Sequence, residues 1–380
     1  MMDERTENRI IFLLLCAGSV IIAFNLAALT IVIPSMSGEL RSTDIAVARM
    51  INFYMIPYGL GALIYAPLTT KVSYRKVLGF CYLIFGISCL VCAVSRTLFG
   101  LFAGSMGAGI AAAGITPLAL MLIGDLYEKN QRGRLVGLFF GASFFSSLAG
   151  IVLAGIASWR WLFIVPAIMA ALTAGWLWAF RWPLLGRTHQ ARVDYTLIFR
   201  ETRIRETFIF ILTISLLYHA AQKWFGVYLA RDYGLDKLTV SFLFIMMSMA
   251  SLAGQLIGGK VSDQQGRGSS CFVGLLALGS GAMLLVWKYP FWGLAGVLCL
   301  FSMGWTIGHN GISTILTDYP DEHRPMIASL NSALRFASGG IGFLISSYFV
   351  RYGFGLTFFG IGVLLLALFW PLRRIIKGEA

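Results

Sequence analysis

Long apolar runs broken by short polar stretches dominate the chain, and their spacing predicts its elements. Runs starting near Ile10, Ile45, Arg75, Thr97, Leu135, Trp161, Thr207, Lys237, Ser269, Phe291, Pro325 and Phe354 each approach the roughly 20 residues that a helix needs to cross the hydrocarbon of a bilayer. About twelve spanning helices therefore fit the chain, and such unbroken runs do not match the alternating pattern of a membrane β-barrel. The first run follows a mixed acidic and basic start without a small-residue cleavage site, so it is expected to be retained as a helix. Between the eighth and ninth runs, Gly258 to Arg267 is polar and glycine-containing. It is expected to be a loop whose glycines permit a tight reversal.

Composition agrees with this pattern: 58% of the 380 residues are hydrophobic and 12% charged, more apolar than a water-soluble core of this length requires. The net charge of +13 first suggests a nucleic-acid partner, but placing the charges on the breaks changes its meaning. With the N-terminus inside, cytoplasmic segments hold about 20 of the 30 Lys and Arg and outer loops about seven. Both termini are then cytoplasmic, in an inner or plasma membrane, and no nucleic-acid partner is expected. The six cysteines, Cys16, Cys81, Cys89, Cys92, Cys271 and Cys299, all fall in apolar runs, where buried thiols are the better reading even for the CxxC spacing of Cys89 and Cys92.

Six runs lie on each side of the most polar segment. The expected division is a bundle over 1–182, a cytoplasmic linker over 183–206 and a second bundle over 207–380. Six crossings return the chain to its starting side, so the halves share an orientation and an internal repeat is expected. An offset of about 193 places Ala66 to Arg75 on Gly259 to Gly268, and the basic Asn130 to Arg134 near Asp321 to Pro325.

In the second half Gly259, Asp263, Gly266 and Arg267 match a loop of the form G-x-x-x-D-R-x-G-R; in the first, Thr70 and Ser73 replace its Asp and Gly while Lys71, Arg75 and Lys76 keep the positive charge. With Arg132-Gly133-Arg134 before the fifth run and Ser158 to Phe163 before the sixth, the chain resembles the major facilitator superfamily along essentially its whole length. Ser329 to Arg335 resembles the drug and sugar efflux branch. The resemblance implies an all-α integral membrane fold, twelve transmembrane helices in two pseudo-symmetric six-helix bundles, and a secondary transporter that works by alternating access. It also implies a gating role for Gly259, Asp263, Gly266 and Arg267, with Arg132 or Arg134 as partners of Asp263.

Charges deep in a bilayer are expensive, at about 2.5 to 3.5 kcal/mol on the mildest scale, so those present are functional candidates. Lys223 and Arg335 fall inside runs, whereas all seventeen acids lie in breaks or at run ends. His219, Gln222 and Lys223 share a helical face by their spacing. His309 and Asn310 interrupt the tenth run beside Trp305, and Asn25 stands where the efflux branch often has an Asp. The candidate substrate-binding set is therefore Asn25, His219, Gln222, Lys223, Trp305, His309, Asn310 and Arg335. With Asn25 in place of that Asp and Leu101 in place of the fourth-helix Arg common in the family, the chain departs from standard carboxylate-based proton coupling; a coupling proton would be carried by His219, His309 or Lys223.

No nucleophile with a base, no metal spacing and no phosphate loop is present, so neither catalysis nor a cofactor is expected. The expected partners are a small-molecule substrate and the lipid bilayer, and the expected state is a monomer. Three functions remain: export of a small amphiphilic or sugar-like metabolite or drug, organic-anion uniport or exchange through Lys223 and Arg335, and a transporter-like receptor that moves nothing.

Overall fold

The computed structural model describes residues 4–69, 71–179, 201–316 and 324–377. Thr70, the linker as far as residue 200, and Asp321 to His323 of the repeat lie outside these. The chain divides into two compact units, Met1–Arg192 and Val193–Ala380.

The first unit contains α1 (Glu4–Leu26), α2 (Leu29–Glu39), α3 (Asp44–Ala48), α4 (Met50–Leu68), α5 (Tyr74–Val94), α6 (Leu98–Leu126), α7 (Lys129–Ile156) and α8 (Trp161–Ala179). The second contains α9 (Thr202–Gln222), α10 (Phe225–Asp232), α11 (Lys237–Gln265), α12 (Arg267–Leu284), α13 (Phe291–Leu316), α14 (Arg324–Phe349), α15 (Phe354–Ala367) and α16 (Phe369–Lys377). Among the described residues, 12 helices are long and apolar enough to span a membrane, and their starts fall within a few residues of the expected ones. Polar residues set several of these starts: Thr97 Oγ1 accepts from the Gly100 amide and Asp236 Oδ1 from the Thr239 amide, both at 3.2 Å.

The same packing scheme recurs in both units. In the first, the second span (α4) packs on the fourth (α6), the third (α5) on the fourth and the sixth (α8), and α1 on the fifth (α7). In the second, α11 packs on α13, α12 on α13 and α15, and α9 on α14. Atomic detail repeats as well: a Cβ on Gly150 would be driven into the Phe24 carbonyl, and a Cβ on Gly342 into that of Leu216. Both residues of the pair are displaced by 192 positions, within one residue of the sequence repeat. Helices meet there backbone to backbone, which only a glycine permits.

One sequence expectation needs correction. The stretch Gly258 to Gln265 is helical to its end and is not a loop. Gly258 and Gly259 are there because α13 lies against them, at Ile307 and Asn310; only Gly266, at φ +88°, makes the reversal. His219, Gln222 and Lys223 keep their shared face, Lys223 closing the helix with its amide on the His219 carbonyl; beyond them regular helix resumes only at Phe225. The first span has a matching break between Leu26 and Leu29.

Proline supplies another pairing. Pro166 inside α8 cannot donate to the carbonyl four residues earlier, that of Leu162. The Asn25 amide makes the missing bond at 3.0 Å, with Asn25 only 2% exposed. Asn25→Leu is expected to lower stability by about 1 to 3 kcal/mol, the usual penalty for an orphaned buried acceptor. Thermal unfolding in detergent would show it, and adding Pro166→Ala, which returns an amide, is expected to recover part of the loss.

Candidate functional site

In the second unit the polar residues gather where α9 breaks. Tyr218 lies flat between two rings of α13 that sit one turn apart, 3.9 Å and 7° from Trp305 and 5.5 Å and 13° from Phe301. His219 approaches Trp305 at 6.1 Å, and His309, one turn beyond Trp305 on α13, at 5.7 Å. The Arg335 guanidinium of α14 lies 5.9 Å from the Trp305 ring, near the outer limit of a cation–π contact. Ser215 of α9 donates to the Arg335 carbonyl at 3.2 Å and sets the height of this residue against α9. The electrostatic influence of Arg335 extends to both histidines, and that of Lys223 to His219.

Lys223 closes α9, its amide bonded to the His219 carbonyl, and is 8% exposed, so it is enclosed rather than extended along the surface. It forms no ion pair among the described residues. His219 Nδ1 and Gln222 Oε1 are buried without a hydrogen-bond partner among those residues. Beyond the break, the Trp224 indole donates to Ser346 Oγ at 2.9 Å and anchors α10.

Five of the sequence-predicted residues, His219, Lys223, Trp305, His309 and Arg335, therefore converge, with Gln222 one turn from Tyr218. Asn310 does not join them: its amide donates to the Gln255 carbonyl at 2.9 Å and ties α13 to α11. Asn25 belongs to the first unit, on the Leu162 carbonyl. Tyr218 and Phe301 were missing from the expected set. The spacing of Phe301, Trp305 and His309 at i, i+4 and i+8 is the feature from which the aromatic face was readable.

The three faces of α13 do different work. Phe301, Trp305 and His309 form the aromatic face. Gly304, Gly308 and Gly311 meet α12 at Leu278, Gly274 and Cys271. Thr306, Ile307 and Asn310 meet α11 at Gly254, Gly258 and Gly259.

Of the gating candidates, Asp263 sits exposed in the last turn of α11 and makes no hydrogen bond or ion pair among the described residues. Gly266 is the turn, and Arg267 opens α12. Arg132 donates to the Tyr127 carbonyl at 2.8 Å, capping the end of α6, and Arg134 is exposed. Arg75 of the degenerate first loop donates to the Leu177 and Trp178 carbonyls at 3.0 and 2.8 Å, near the end of α8.

A family model described as the Major Facilitator Superfamily matches residues 15–343. The protein belongs to this superfamily of membrane transporters. It is 25% identical to the uncharacterized MFS-type transporter YwfA of Bacillus subtilis (strain 168), over 82% of this chain and 79% of that one. It is also 25% identical to multidrug resistance protein D of Escherichia coli (strain K12), over 68% and 67%. A solved bacterial homologue of the human lysosomal transporter Spinster superposes with a TM-score of 0.75 at 15% identity, covering 98% of both chains. The expected all-α fold in two pseudo-symmetric bundles is the observed one, with twelve helices of membrane-spanning length among the described residues.

Proposed function

We propose that the protein is a secondary carrier that exports a small amphiphilic or sugar-like metabolite or drug by alternating access. The observation that carries this reading is the pair of buried, unpartnered atoms His219 Nδ1 and Gln222 Oε1 beside the stacked Tyr218 and Trp305. Leaving such atoms unpaired costs about 1 to 3 kcal/mol each, which a polar solute group relieves while its apolar part lies on the aromatic face. Discontinuous membrane helices serve this purpose in carriers because they expose backbone and side-chain polarity near mid-bilayer. Multidrug resistance protein D, among the relatives, supports an efflux assignment. Asn25 ties two helices together within the first unit, and Asn310 ties α13 to α11 within the second.

A second reading, uniport or exchange of an organic anion, is favoured by the character of the charges: Lys223 and Arg335 both lie within electrostatic reach of His219, and no acid lies at mid-span among the described residues. The basic loops support a cytoplasmic-membrane location with both termini inside, which protease access to terminal tags would check.

Counterflow in proteoliposomes, run with neutral amphiphiles, sugars and aromatic carboxylates, tests transport directly. Accelerated exchange of one class identifies the substrate. Ligand-induced thermal shifts with no exchange of any class would replace the carrier by a receptor. For gating, Asp263→Asn is expected to slow exchange about fivefold or more, because it removes a charge that biases one state of the cycle. Thr70→Asn, on the degenerate side, is expected to change it by less than about twofold. Equal effects would show that the asymmetry of the two loops has no functional weight.

A further inference from the structure

A recess on the first unit is not used by the transport reading. It lies where α5 ends and α8 begins, encloses about 800 Å3, and is lined by Glu39, Leu90, Val94, Arg96, Arg160 and Ile164 among others. Its charges are unequal. Glu39 spends one oxygen on the Trp159 indole and the other on Arg160 Nη2, each at 2.6 Å. Arg160 Nη1 donates to the Ala93 and Ser95 carbonyls, and the guanidinium lies 4.3 Å from the Trp159 ring. The Arg160 hydrogen bond holds the Glu39 carboxyl below the usual carboxylate range. Its contribution to stability is therefore present above that range and lost only as pH falls through the lowered value.

Glu39 and Arg160 offset each other, and Arg96 is left over. It makes no hydrogen bond or ion pair among the described residues, yet lies close enough to act on Glu39. An apolar wall runs away from it, with Val94 72% exposed and Leu90 and Trp161 also open on the surface. Exposed tryptophan beside arginine at the end of a membrane helix marks the headgroup layer.

We propose that this recess binds an anionic phospholipid, with the phosphate on Arg96 beside the fixed Arg160 edge and one acyl chain along Leu90, Val94 and Ile164. A guanidinium matches phosphate oxygens in a forked geometry. A zwitterionic lipid would bring a cation, but both Glu39 oxygens are already engaged. Free phosphate would leave the apolar wall unused.

The test counts lipids retained by the purified full-length protein in native mass spectrometry after exchange into phosphatidylglycerol or phosphatidylcholine of equal chain length. Phosphatidylglycerol is expected to be retained preferentially. Arg96→Gln is expected to lower its retention about fivefold, and Val94→Asn to weaken it with the charges intact. Arg351→Gln, which removes an exposed cation from the second unit, is expected to leave it unchanged. Equal retention of the two lipids, an equal loss from Arg96→Gln and Arg351→Gln, or displacement of the lipid by millimolar inorganic phosphate would each overturn the proposal.

Discussion

Arg335→Gln is expected to reduce flux of aromatic carboxylates about 30-fold or more, because removing a paired counter-charge costs at least about 2 kcal/mol. Neutral amphiphiles are expected to pass at nearly the parental rate, since Gln keeps much of the side-chain volume and Trp305 keeps its stack on Tyr218. Lys223→Gln should show the same selectivity. The two cations belong to different helices and both act on His219, so the double variant should lose more than either single one. Proteoliposome uptake of matched acid and amide pairs measures the difference. Unchanged acid flux in both single variants would remove the anion reading and leave neutral solutes as substrates.

Large stability effects are expected at Gly150 and Gly342. A valine at either drives carbon into a neighbouring carbonyl oxygen, and the obstacle is backbone, which cannot swing aside as a side chain can. Overpacking of this kind costs about 1 to 3 kcal/mol where side chains can adjust, and these positions should exceed that range. Gly150→Val should separate α7 from α1, and Gly342→Val should separate α14 from α9. The yield of monodisperse protein in detergent should collapse in both. Gly175→Val, where a Cβ meets nothing within 4 Å, is the matched control and should express normally.

The spans, their starts and the repeat were legible because hydrophobic length and polar breaks are one-dimensional properties. The aromatic site was half legible. Lys223 and Arg335 stand out in apolar runs, whereas Tyr218 and Phe301 look like any membrane aromatic until the stack is seen. The breaks near Ala27 and Lys223 carry no proline or glycine at the point of interruption, so no local cue announced them. The polarity of Lys260 to Gln265 imitated a loop, because a helix that projects beyond the apolar layer needs no apolar residues. The role of Asn25 was hidden in Pro166, which lies far away in sequence and which it touches only through the carbonyl that the proline leaves free.

The three engaged faces of α13 also restrict how the second unit can move. A turn of α13 about its own axis would carry the bulky Trp305 face into the glycine contact at Gly274, where a Cβ would already collide with Gly308 backbone. Rotation is sterically locked, and so is sliding past either glycine-lined neighbour. Whatever displacement accompanies transport, α11, α12 and α13 are expected to tilt together as one lever. Adjustment at the site is then expected between α9 and α10, where regular helix stops at Gln222 and resumes at Phe225 beside the aromatic face.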